Sequence, residues 1–105
     1  MELKDTIEFM NSEDYKDRFV AEYMQTKIRY EKLKKMTTKY EAGTLKFEPK
    51  CDLALLKNQQ TSMGHYLHFL EVRAEIEGIN IDFNCEVTKS WKKKIKTKTK
   101  LQHGL

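Results

Sequence analysis

Proline is nearly absent from this chain, at one among 105 residues, and glycine is scarce, at four. So few breakers favour long regular elements. They also exclude a glycine-rich phosphate loop, because the glycines stand apart as helix and turn punctuation. The two cysteines, Cys51 and Cys85, lack C-x-x-C spacing, which argues against a disulfide framework and predicts buried thiols in a reducing cytosol. No apolar run approaches the ~20 residues of a membrane span. The opening Met1-Glu2-Leu3-Lys4-Asp5 lacks the apolar core of a signal peptide.

What is present is charge and aromatic bulk. Charged residues make up 34% and mean hydropathy is −0.76, a polarity that would suit a disordered chain. Five Phe, five Tyr, five Met and one Trp supply material for a real core instead. The length fits one domain over residues 1–105. A lone domain of this size buries only about two-thirds of its unfolded surface, so long helices here are expected to cover their remaining apolar face with a copy of themselves. Net charge is +4, and its placement is uneven. Residues 1–87 are nearly balanced, whereas Lys89, Lys92, Lys93, Lys94, Lys96, Lys98 and Lys100 follow with no acid among them. A basic end of this kind faces phosphate, an acidic partner or water.

The patterning predicts a mainly α fold: an antiparallel hairpin of two long helices, a short N-terminal helix and a C-terminal β-strand or hairpin. Residues 1–11 form the short helix, with Ile7, Phe9 and Met10 on its apolar side. Ser12 is the expected N-cap of a long helix over 13–42, with Glu13 and Asp14 in its first turn. Phe19, Tyr23, Thr26, Tyr30, Leu33, Thr37 and Tyr40 repeat at alternating steps of four and three, a heptad-like seam that Val20, Met24 and Ile28 widen. Gly43 is placed to end this helix, and Pro49 ends any extended pairing in the connection that follows. A second helix over 52–77 carries Leu56, Gln60, Met63, Leu67, Leu70 and Ala74 at the same spacing, and Gly78 repeats the stop signal. Beyond it, Ile79, Ile81, Phe83, Cys85 and Val87 alternate with polar residues at period two. The extended basic segment 79–101 therefore reads as a strand pairing across a turn near Thr88-Lys89-Ser90, with a solvated basic tail as the alternative.

Catalytic chemistry is not legible. His65 and His68 lie one helical turn apart with Glu71 near, but a zinc site needs further ligands at defined spacing. Cys51 has no supporting base and orienting group in its neighbourhood of sequence, and Glu75 and Glu77 do not share a helical face. The chain is therefore read as a non-enzyme that uses no cofactor. The first helix is more informative, because Tyr23, Lys27, Arg29, Tyr30, Lys34, Lys39 and Tyr40 mix flat rings with cations. Cations neutralise phosphate and aromatic faces stack on bases. The same residues also read as a tyrosine-rich packing seam beside solvated lysines, which spacing alone favours. Arg73, the one arginine of the second helix, lies near the apolar seam, where it is expected to meet a nucleotide phosphate or a glutamate such as Glu22 or Glu31.

The pattern Asp17-Arg18-Phe19, Ala21-Glu22-Tyr23 and Leu33, with Leu55-Leu56, Gln59-Gln60, Met63, Tyr66-Leu67, Leu70 and Arg73, resembles a family of small phage and prophage proteins related to a crAss-like phage protein. The resemblance covers about residues 13–80 and rests on short motifs, mostly at core positions. It implies kinship with anti-CBASS sponges: helical hairpins, assembled into compact oligomers, that hold cyclic oligonucleotide immune signals between subunits without turnover. On that footing the partners are a cyclic nucleotide second messenger and further copies of the chain, with no membrane, in the cytoplasm of a bacterial host. The added segment from Ile79 to Leu105 departs from the plain hairpin and opens the ligand to a cyclic ADP-ribose isomer of a Thoeris system. The candidate ligand-binding residues are Tyr23 and Tyr30 for stacking, with Lys27, Lys39 and Arg73 for phosphate. Two other readings stand beside this one. The first is a small basic phage protein that binds nucleic acid through Lys89 to Lys100. The second is a helical protein-interaction module with no small ligand.

Overall fold

A computed structural model describes residues 2–81. A 3-10 turn over Leu3–Thr6 runs into the short helix α1, Ile7–Met10. Two long helices follow, α2 over Tyr15–Ala42 and α3 over Leu53–Glu77. No strand occurs among the described residues, and the expected strand and basic pairing beyond Ile81 lie outside them.

Partner positions fall on α3 as they rise on α2, which defines an antiparallel hairpin. Arg73 meets Tyr15, Glu71 meets Tyr23, Tyr66 meets Glu22, Gln60 meets Thr37 and Lys57 meets Glu41. The expected seam is the facing surface: Phe19, Tyr23 and Thr37 of α2 are buried, as are Leu56, Leu67, Leu70 and Ala74 of α3. Val20 and Met24 are buried in one core with Phe19 and Tyr23, so they widen the seam as expected. Further round α2, Gln25 reaches Thr6 and Met10. Helix α2 is thus covered by α3 on one side and α1 on the other. The core, which includes Phe9, Phe19, Tyr23, Leu70 and Ile79, gathers at the α1 end of the hairpin.

Ser12 and Asp14 are both good capping residues, and the expected cap gives way to its neighbour. Asp14 accepts the Lys16 N–H at 3.0 Å, because a carboxylate also gains from the helix dipole. Ser12 is buried two residues earlier. Its hydroxyl accepts the Asp14 N–H and donates to Asp17, each at 3.0 Å, and its carbonyl takes Arg18 Nη1 at 2.7 Å. It fixes the chain's entry into α2 rather than capping the helix.

Both long helices end as the sequence predicts. Gly43 and Gly78 take φ of 76° and 70°, a conformation a side chain would strain. Thr44 N–H then reaches the Lys39 carbonyl, and Ile79 N–H the Ala74 carbonyl, each at 2.9 Å. These bonds close Schellman caps, and buried Ile79 packs over the second. Gly64 answers to a different need, since a Cβ built there would lie 3.5 Å from the Tyr30 ring. That is ordinary contact, so Gly64→Ala should raise stability by about 0.5–1 kcal/mol through helix propensity. Gly64→Leu should lower it by displacing the Tyr30 ring. Chemical denaturation of both variants checks the pair.

Candidate functional site

The hairpin distributes the expected site residues along its length. Tyr23 is 3% exposed, and its hydroxyl donates to Glu71 Oε2 at 2.7 Å. Its ring belongs to the core, and the Lys27 ammonium stands 5.7 Å from the ring centroid. Tyr30 is half-buried against Gly64. Arg73 sits beside Tyr15 at one end of the hairpin, while Lys39 stands near the other, about 36 Å away along α2 at a rise of ~1.5 Å per residue. The fold therefore brings Tyr23 and Lys27 together, places Tyr30 further along the same helix, and keeps Arg73 and Lys39 apart within one subunit.

Arg73 does not pair with Glu22 or Glu31. Its Nη2 donates to the Tyr15 hydroxyl at 2.7 Å, its Nε lies 3.4 Å from Glu77 Oε2, and its guanidinium rests 5.1 Å from the Phe19 ring centroid. Glu77 follows at i+4 on the same helix, a reach that needs no tertiary luck, and the antiparallel register brings Tyr15 and Phe19 opposite. Glu22 instead accepts the Tyr66 hydroxyl.

Besides Tyr23, two tyrosines feel neighbouring carboxylates. The hydrogen bond to Glu22 pushes the Tyr66 pKa up, with burial adding to it. Tyr15 is also pushed up, first by hydrogen bonding to Glu77, with Arg73 opposing. A raised pKa means the fold favours the protonated hydroxyl. The stabilisation is complete below the ordinary tyrosine range and is lost as pH climbs through it. Ultraviolet titration of tyrosinate should find a component above that range; Tyr66→Phe should reduce it and leave the part that belongs to Tyr15.

At the Lys39 end, the connection between α2 and α3 folds against the last turns of α2. A hollow of about 250 Å³ lies between Lys32, Lys35, Met36 and Lys39 of the helix and Leu45 and Phe47 of the connection. A second, of about 180 Å³, shares Leu45 and Phe47 and adds Tyr40, Gly43, Glu48 and Pro49. Lys32, Lys35 and Phe47 escaped the sequence reading. Their signal was lysine at i, i+3 and i+7 on one face, followed by an aromatic residue just before Pro49.

The outer face of α3 is apolar as well. Leu55, Tyr66, Phe69, Val72 and Ile76 are all exposed, Phe69 at 64% and Ile76 at 79%. Cys51 is free and exposed, against the expected buried thiol, because it precedes the Asp52 cap of α3 in the connection; Cys85 lies outside the described residues. His65 and His68 are exposed, and among the described residues no three His, Cys, Asp or Glu side chains gather to hold a metal.

No curated protein and no solved structure gives a significant match to the chain. The profile of one protein family, Sequestin, does match, over residues 13–76. That span opens just before α2 and closes one residue short of the end of α3, so it takes in the whole connection and both hollows. On this match over more than half of its length, the chain belongs to the Sequestin family.

Proposed function

We propose that this protein is a phage-encoded sponge, acting in the host bacterial cytoplasm, that withholds a cyclic nucleotide signal of bacterial defence from its effector without cleaving it. The signal is a CBASS cyclic oligonucleotide or a Thoeris cyclic ADP-ribose isomer. The observation that carries the reading is the family match across the helical hairpin, in a family whose name denotes sequestration. The surface chemistry agrees with it. A cyclic nucleotide presents negative phosphate and flat bases, and the hairpin offers lysines and rings on preformed helices. Silencing a signal by binding alone requires no nucleophile or metal.

Assembly belongs to the same proposal. Exposed Leu55, Tyr66, Phe69, Val72 and Ile76 make a stripe that a second copy of the chain would cover. Because Arg73 and Lys39 stand apart in one subunit, copies packed side by side are the means by which distant cations would meet one ligand. Ligand symmetry suits such a site, since a two-fold interface supplies each group twice.

The test is thermal stability against a panel of cyclic dinucleotides, cyclic trinucleotides and cyclic ADP-ribose isomers. A sponge should be stabilised saturably by one class, by about 2.7 kcal/mol at a hundredfold excess over Kd. If the whole panel leaves stability unchanged, while DNA or RNA binds with steep salt dependence, the nucleic-acid reading replaces this one.

A further inference from the structure

We infer that the tip of the hairpin is a nucleotide-binding site, in which Phe47 stacks on a base while Lys32, Lys35 and Lys39 take the phosphate. The ligand class rests on the sequestration proposed above; the location rests on the tip itself. The side chains of Lys32, Lys35 and Lys39, on one face of α2, line a single hollow whose wall is mostly apolar, so their stems form it and their charged ends stand at its rim. Among the described residues no carboxylate lies within ion-pair distance of any of them, whereas Lys57 nearby is paired to Glu41. Like charges at i, i+3 and i+4 destabilise a helix, so an anion placed among them relieves a cost the free protein carries.

The hollow is not merely cationic. Met36, Leu45 and Phe47 complete its wall, and Phe47 is 59% exposed although it is the largest apolar side chain of the connection. A hydrated inorganic anion would leave that ring in water, whereas a nucleotide covers it and meets the lysines in the same pose. Phe47 also borders the second hollow, together with Tyr40 and Pro49. At about 250 Å³ the first hollow is smaller than the roughly 300–1,000 Å³ of pockets that enclose a drug-sized ligand. It therefore grips one nucleotide of a cyclic signal, and a second copy of the tip is needed to grip the other.

Equilibrium dialysis of the full chain tests this with cyclic di-AMP, cyclic di-GMP, cyclic GMP-AMP, cyclic triadenylate and cyclic ADP-ribose as probes. The variants are Phe47→Ala, Phe47→Trp, the double change Lys35→Glu with Lys39→Glu, and Lys16→Glu as a distant control. For the probe the native protein binds, Phe47→Ala should weaken affinity about 10- to 100-fold. Phe47→Trp, which keeps a flat face, should hold it. The double charge reversal should abolish binding and Lys16→Glu should leave it intact, with all melting temperatures unchanged. A native protein that binds a probe whose affinity Phe47→Ala and the charge reversal leave untouched overturns the tip site and spares the sponge. A native protein that binds none of the five overturns the tip site, and the sponge then answers to the wider panel of cyclic ADP-ribose isomers above.

Discussion

Phe19→Ala should remove about 3–5 kcal/mol of stability, the range found when a buried aromatic is cut to alanine and the cavity only partly collapses. Phe19 is 2% exposed at the α1 end, where the core is concentrated. Its ring also carries the Arg73 guanidinium, whose other contacts tie the first turns of α2 to the last turns of α3 through Tyr15 and Glu77. Losing the ring therefore opens a cavity and loosens the clamp above it. A chain of this length commands only about 5–15 kcal/mol in total, so the variant sits at the edge of unfolding. Urea denaturation followed by far-ultraviolet circular dichroism measures the loss. A cost below about 1 kcal/mol would mean that the core is not where the fold places it.

The second large effect concerns assembly. The proposed assembly predicts that the native protein is an oligomer and that changing Phe69 and Ile76 together to aspartate converts it to a monomer of 12.5 kDa, the mass of one chain. Both side chains are exposed in the single subunit, so the change leaves the hairpin's own packing alone and helicity should persist. In an assembled face the same two carboxylates would be buried without partners, at a cost of several kcal/mol, which amounts to orders of magnitude in association constant. Light scattering at micromolar concentration decides the matter. A native protein that is already monomeric would remove the apolar stripe as an interface and leave the distant cations with no route to a common ligand.

The long helices were legible because their signals are local. Alternating steps of three and four fixed the facing seam, and Gly43 and Gly78 marked the stops through a backbone conformation that only glycine takes without strain. The failures were tertiary. The choice of Asp14 over Ser12 as cap depended on Asp17, which engages the serine hydroxyl from the helix side. Arg73 found Tyr15 and Phe19 only once the antiparallel register was set. The tip hollow needed a connection folded back on α2, and no periodicity encodes that. Among the sequence-derived candidates Lys39 borders the hollow, whereas Tyr23 is spent in the core.

Sequestration without chemistry is tested most directly by recovery of the nucleotide. The native protein, in excess, is incubated with the cyclic nucleotide that stabilises it. Free nucleotide is measured by chromatography before and after the complex is denatured by heat. Binding without turnover predicts that the free nucleotide disappears in proportion to added protein and returns intact and in full on heating. A linear or hydrolysed product that accumulates with protein dose would contradict the account, as would free nucleotide that never falls.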